Sequence, residues 1–145
     1  MRGFVDTSVL IKSYVHENRS ELAIDLLDEL AIPVPVSPLL RLEFMNALQL
    51  KQFRGELTPE EVSVFMDAFQ SDLQNGICRL ERMDLASIYA RALEISITWT
   101  SGVGARSLDI LHVATALEMK LETLITFDHR QAELARSAGL NVLGL

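Results

Sequence analysis

Hydrophobic positions along this chain follow two rhythms. Short apolar runs rich in β-branched residues read as strands, and longer stretches with apolar positions three and four apart read as helices. Residues 3–6 form a first strand, and a helix follows from about Val9 with Thr7 or Ser8 as its cap. Ser20 with Glu21 opens a second helix over ELAIDLLDEL. The segment IPVPVS (32–37) is extended, and its two prolines suit an edge or terminal strand position. Ser37 as cap and Pro38 in the first helical position start a long helix that ends near Gly55. TPEE (58–61) is a capping box, with Thr58 and Glu61 in the reciprocal positions, and its helix runs to about Gln74 before Asn75-Gly76. ICRLERM (77–83) reads as a strand, and Asp84 caps a helix to about Ile97. TSGVGARS (100–107) reads as a loop broken by Gly102 and Gly104, after which Ser107 caps the helix LDILHVATALEMK. TLITF (123–127) is a strand, HRQAELARSAGL a helix stopped by Gly139, and NVLGL a closing strand.

Strands that alternate with helices need crossover connections, and these imply a parallel sheet. The expected fold is therefore α/β: one domain over residues 1–145, with a central parallel sheet flanked by helices. Composition supports a packed core, since 49% of the 145 residues are hydrophobic. No apolar run is long enough for a membrane-spanning helix, and the chain opens on a strand without the pattern of a secretory leader. A single cysteine, Cys78, cannot form an internal disulfide, which fits a reducing cytoplasm. The net charge of −7 speaks against broad electrostatic binding of nucleic acid, unless metal ions neutralise the acids where a phosphate would sit.

Four acids interrupt this apolar pattern. Asp6 ends the first strand, Glu43 lies between Leu42 and Phe44 in a helix, Asp109 lies between Leu108 and Ile110, and Asp128 follows the strand TLITF. Each has an ordinary structural use. Asp6 and Asp128 can cap the following helices, Asp109 can complement a helix dipole, and Glu43 can pair with Arg41 or Arg54. Together they point further, because ligands of open α/β sheets collect outside the carboxyl ends of the strands. Acids gathered there repel one another unless a cation lies between them. Oxygen-only ligands suit Mg²⁺ or Mn²⁺, ions that can activate water for phosphodiester displacement.

The remaining candidates are secondary. Asn46, one turn beyond Glu43, can orient its carboxylate or a water. Lys12, Arg106 and Arg130 lie near the acids and can hold phosphates or act as solvated charges. His112 shares a helix face with Asp109 and reads as a satisfied structural histidine, and His129 follows Asp128 without a partner evident in the sequence. Val62, Phe65, Met66 and Phe69 form a stripe that serves either the core or a partner.

The blocks FVDTSVLI, LEFMNAL, RSLDILHVATAL and LITFDHRQAELARSAGL resemble, in order and spacing, the four motif blocks of PIN-domain nucleases. The similarity spans nearly the whole chain and is closest to the VapC-type toxins of type II toxin–antitoxin pairs. The resemblance implies a parallel sheet, an acidic pocket for one or two Mg²⁺ or Mn²⁺ ions, and endonuclease action on RNA. It also implies a homodimer and a cognate antitoxin, assembled as a heterotetramer or larger, with the antitoxin helix against the 59–74 stripe. Asp6, Glu43, Asp109 and Asp128 fall on the family's acidic positions, and Thr7 or Ser8, and Thr126, on its supporting hydroxyl positions. One departure is that only Glu133 is acidic in HRQAE, where many relatives carry a further acid a few residues after the last aspartate.

Other readings stay open. A phosphatase of the haloacid dehalogenase class would want D-x-D on the first strand, but position 8 is Ser8. A receiver domain would want a phosphoacceptor Asp in a middle strand and a late Lys, and neither is evident. A housekeeping PIN-domain nuclease shares the same acids. A catalytically idle binding module should have lost at least one of the four.

Overall fold

The computed structural model describes residues 1–145. Three strands, β1 (Gly3–Val5), β4 (Thr123–Ile125) and β5 (Asn141–Leu143), form a parallel sheet in the order β1-β4-β5. Strands β2 (Val34–Val36) and β3 (Cys78–Leu80) form a second parallel pair, and β2 lies beside β1. Ala31 N–H donates to the Met1 carbonyl at 2.7 Å where the two groups of strands meet. The expected α/β architecture with a parallel sheet flanked by helices is thus observed.

The helices fall into two groups. Helices α1 (Thr7–Tyr14), α2 (Ser20–Asp28), α3 (Pro38–Phe53) and α4 (Pro59–Gln74) contact one another. So do α5 (Leu85–Ile95), the short α6 (Ser101–Val103), α7 (Ser107–Glu118) and α8 (His129–Ser137), with a π-helical turn at Ser96–Thr100 joining α5 to α6. No helix is long and apolar enough to cross a membrane. Phe4, Val5, Leu124 and Ile125 are fully buried in the sheet. Burying each such side chain contributes roughly 1.5–3 kcal/mol. Tyr14, Phe44 and Phe69 form an aromatic cluster with ring centroids 4.5 to 5.9 Å apart, which ties α3 and α4 to α1.

Several local expectations change. The segment Ser101–Val103 is helical, so the α5 helix continues through the π turn and breaks only at Gly104, where φ is +74°. Gly102 is tolerated inside this helix, and only Gly104 needs the left-handed conformation that glycine adopts freely. Asp6, not Thr7 or Ser8, is the N-cap of α1, and its carboxylate accepts from Val9 N–H. Arg106 occupies the cap position of α7 in place of Ser107, and Arg19 that of α2, and neither makes a side-chain cap bond. Ser20 instead donates to the Val15 carbonyl and accepts from Glu17 N–H. The capping box of α4 and the Ser37 cap of α3 form as the sequence predicts. Within the 59–74 stripe, Val62 and Phe69 are buried in the core and Phe65 and Met66 pack against it. Core burial therefore accounts for this stripe.

Candidate functional site

Parallel register brings the first acid to its place. Val5 pairs with Ile125, so the next residues, Asp6 and Thr126, emerge side by side at the carboxyl edge of β1 and β4. Asp6 N–H donates to the Ile125 carbonyl at 3.0 Å, and Thr126 Oγ1 donates to Asp6 Oδ2 at 2.7 Å across 120 residues of sequence. Ser8 Oγ donates to the other carboxylate oxygen, also at 2.7 Å. The two hydroxyls are oriented by what they accept. Phe127 N–H donates to Ser8 Oγ at 2.9 Å, and Asp128 N–H donates to Thr126 Oγ1 at 3.0 Å. Each hydroxyl hydrogen is therefore left for Asp6.

Asp6 is only 5% exposed. Burial pushes its carboxyl up from 3.8 to about 6, against the lowering effect of the bonds from Ser8 and Thr126 and the attraction of His112. It is a buried acid whose charge the surrounding protein does not fully compensate.

Glu43 reaches the same end of the sheet from α3. Phe44 points into the core with Leu40 and Leu48, and Glu43, one residue earlier, is turned toward the start of α1. Thr7 Oγ1 donates to Glu43 Oε1 at 2.9 Å, and His112 Nε2 makes a short contact with the same oxygen. Consecutive hydroxyls at Thr7 and Ser8 thus serve Glu43 and Asp6. Burial raises the Glu43 carboxyl, but the hydrogen bond and attraction of His112, with the bond from Thr7, outweigh it and hold Glu43 below the ordinary glutamate value.

Helix α7 supplies Asp109 and His112 one turn apart. Arg106 Nε lies 3.4 Å from Asp109 Oδ2, and its guanidinium lies 3.6 Å from Asp128 Oδ2. Arg106 itself is largely exposed, so these pairs shape a charged rim and contribute little stability. Asp128 also caps α8, its Oδ1 accepting from Gln131 N–H at 3.0 Å. The acids are therefore linked indirectly: the consecutive hydroxyls of Thr7 and Ser8 bond Glu43 and Asp6 respectively, His112 bonds Glu43 and attracts Asp6, and Arg106 lies between Asp109 and Asp128.

Other candidates lie less centrally. Lys12 is paired with Glu17 at 3.1 Å, and Lys51 holds the same glutamate at 2.7 Å. Asn46, His129 and Arg130 are exposed, and Asn46 makes no hydrogen bond to Glu43. The ordinary pairings of Glu43 with Arg41 or Arg54 do not form, and Arg54 faces Glu56. The contact between His112 and Glu43 joins residues 69 positions apart, so sequence reasoning found the shared face of Asp109 and His112 but not the partner.

No group of three His, Cys, Asp or Glu side chains is arranged to hold a metal ion. The donors present, carboxylate and hydroxyl oxygens without thiolate, are nevertheless of the type that hard divalent cations take. The buried, incompletely compensated Asp6 carboxylate fits such a group by its chemistry.

The chain matches the PIN domain family over residues 3–137 and belongs to it. Among solved structures, its fold is similar to that in the crystal structure of FitAcB from Neisseria gonorrhoeae, with a TM-score of 0.61. The two share 20% sequence identity over 98% of this chain and 96% of that one, a likeness of fold. No curated protein sequence matches the chain.

Proposed function

We propose that this PIN-domain protein is a metal-dependent endoribonuclease and the toxin of a type II toxin–antitoxin pair. The observation that carries this reading is Asp6, buried at the carboxyl end of β1 with its charge only partly compensated, beside the Thr7 hydroxyl that bonds Glu43. Membership of the family and the four motif blocks support it.

In this reading Asp6, Glu43, Asp109 and Asp128 are the residues that would hold Mg²⁺ or Mn²⁺. A divalent ion bound there would lower the pKa of a water and polarise a phosphodiester. The chain's own residues do the rest. Ser8 and Thr126 fix the Asp6 carboxylate through both oxygens. Thr7 fixes Glu43. Arg106, exposed and shared between Asp109 and Asp128, is placed to meet a backbone phosphate, and Arg130 and Lys12 are weaker candidates for the same role.

Assembly belongs to the same proposal. Leu85, Tyr89, Leu93 and Ile97 recur every fourth residue along α5 and its π turn and are 59 to 75% exposed. At about 100 Å² each they offer ~400 Å² of apolar surface, about half of one partner's share of a standard interface. We assign this stripe to a homodimer, and a further partner, the antitoxin, to the rest of the apolar surface, in a heterotetramer or larger assembly in the cytoplasm.

The test is cleavage of RNA by purified protein. Cleavage is expected in Mg²⁺ or Mn²⁺ and not in EDTA, with Asp109→Asn reducing it at least a hundredfold. Undiminished cleavage in EDTA by a preparation free of contaminating nuclease would overturn the metal-dependent reading. An inactive wild-type protein that binds no RNA would favour an idle PIN-like module, and an active one without an antitoxin gene beside it a housekeeping nuclease.

A further inference from the structure

His112 is 3% exposed and lies in the most buried helix of the protein, its ring 5.7 Å from that of Phe4. Only one of its two nitrogens is used. Nε2 meets Glu43 Oε1, while Nδ1 is buried with no hydrogen-bond partner. An unpaired buried polar atom costs about 1–3 kcal/mol. A phenylalanine at this position would fill the same space without that cost. The histidine is therefore not accounted for by packing, and its one polar contact is with an acid of the candidate site.

The pattern on Glu43 is one-sided. Both donors, Thr7 Oγ1 and His112 Nε2, bond Oε1, and Oε2 has no hydrogen bond from the protein. Oε2 is also absent from the buried unpartnered atoms, so it is open to solvent. An ionised carboxylate has no hydrogen to give, so the ring must carry its proton on Nε2 and donate it. Two donors on one oxygen fix the carboxylate's rotation and leave the other oxygen to an outside ligand.

We propose that His112 is a positioning residue, which together with Thr7 clamps Glu43 by Oε1 so that Oε2 is the atom presented to a divalent cation. This rests on the metal-dependent reading above, and it assigns to a histidine outside the acidic set the orientation of one of its acids.

Calorimetric titration of the metal-free protein with Mn²⁺ tests it, on wild type, His112→Phe, His112→Gln and Thr7→Val. Phenylalanine keeps the ring volume and removes the donor, and glutamine keeps a donor at the Nε2 position. The expected result is a loss of Mn²⁺ affinity of roughly 10- to 100-fold in His112→Phe, with only a small change in melting temperature, since the lost bond to Glu43 is offset by removal of the unpaired Nδ1. Glutamine should recover affinity to within a few-fold of wild type, and Thr7→Val should weaken binding in the same direction. On RNA, the phenylalanine variant should lose kcat at saturating Mn²⁺ with little change in KM. Wild-type Mn²⁺ affinity in His112→Phe overturns this inference and leaves the nuclease reading standing. If that variant does not fold, unchanged affinity in Thr7→Val together with a loss of affinity in His112→Gln of roughly tenfold or more overturns it equally. A wild-type protein that binds no Mn²⁺ and cleaves no RNA overturns both.

Discussion

Asp6 holds two positions at once, as the N-cap of α1 and as the buried carboxylate between Ser8 and Thr126. Its pH dependence separates them. Below the ordinary value of 3.8 the group is protonated in both folded and unfolded chains and costs nothing. As the pH rises from there to about 6, the unfolded chain ionises while the folded one keeps its proton, so stability falls across that window. At ~1.4 kcal/mol per pH unit the loss above pH 6 is at most about 3 kcal/mol. Asp6→Asn removes this loss and still caps the helix. It also sets an amide NH₂ against a hydroxyl whose hydrogen is committed, at a cost of about 1 kcal/mol. The variant is therefore expected to melt at or below wild type near pH 4 and above it at pH 7, without metal. A difference that does not change with pH would show that Asp6 acts as a cap alone. The opposite shift at Glu43 acts in the other direction, since its stabilisation is present above the ordinary glutamate value and is lost as the pH falls. For that reason the comparison is made between variant and wild type.

Among the elements, the C-terminal strand carries a constraint that reaches the site. Thr126 N–H donates to the Leu143 carbonyl, and the next residue, Gly144, has φ +103°. A Cβ at Gly144 would lie 2.4 Å from the Thr126 carbonyl oxygen, a backbone atom that cannot swing away. Arg19 closes the same corner, donating to the Gly144 carbonyl at 2.7 Å while its guanidinium stacks 3.9 Å from the Phe127 ring. Gly144→Ala should cost roughly 1–3 kcal/mol, and lower the melting temperature by about 3–10 °C. Because Thr126 is a donor to Asp6, the cross-peaks of residues 6–8 in an amide NMR spectrum should shift as well. A melting temperature within a degree of wild type would mean that this corner is slack.

For the whole molecule, the distribution of apolar surface matters most. The face of α5 that carries Ile88, Ala92 and Ile95 is buried, whereas Leu85, Tyr89, Leu93 and Ile97 are exposed on the other side. The apolar surface of α5 thus extends past the face that meets the core, with Ser87, Arg91 and Glu94 on the remaining side. Leu93→Glu places a charge at the centre of the exposed stripe without touching the folded core. Light scattering is expected to show a dimer for wild type and a monomer for the variant, with unchanged melting of the monomer. A strictly monomeric wild type at high concentration would remove the stripe from the account of assembly.

Periodicity and capping chemistry made most elements legible in the sequence, because they act over three to seven neighbouring residues. The capping box at Thr58 and Glu61, the Ser37-Pro38 start of α3 and the strand TLI all lie where local pattern puts them. The four acids were legible too, since an acid at the end of an apolar run is visible without a fold. Local pattern failed where tertiary contact decides. The helix through Ser101–Val103 overrides a glycine, because α6 and the π turn pack against each other and against α8. The 59–74 stripe, which the sequence left open between core and partner, lies against the core, because burial depends on which face meets a neighbour. The pairing of Asp6 with Thr126, of Glu43 with His112, and of Arg106 with both Asp109 and Asp128 was decided only by parallel register and helix placement. These contacts span as many as 120 residues, and hydrogen bonds and ion pairs of that kind leave no periodicity in the chain from which they could be read.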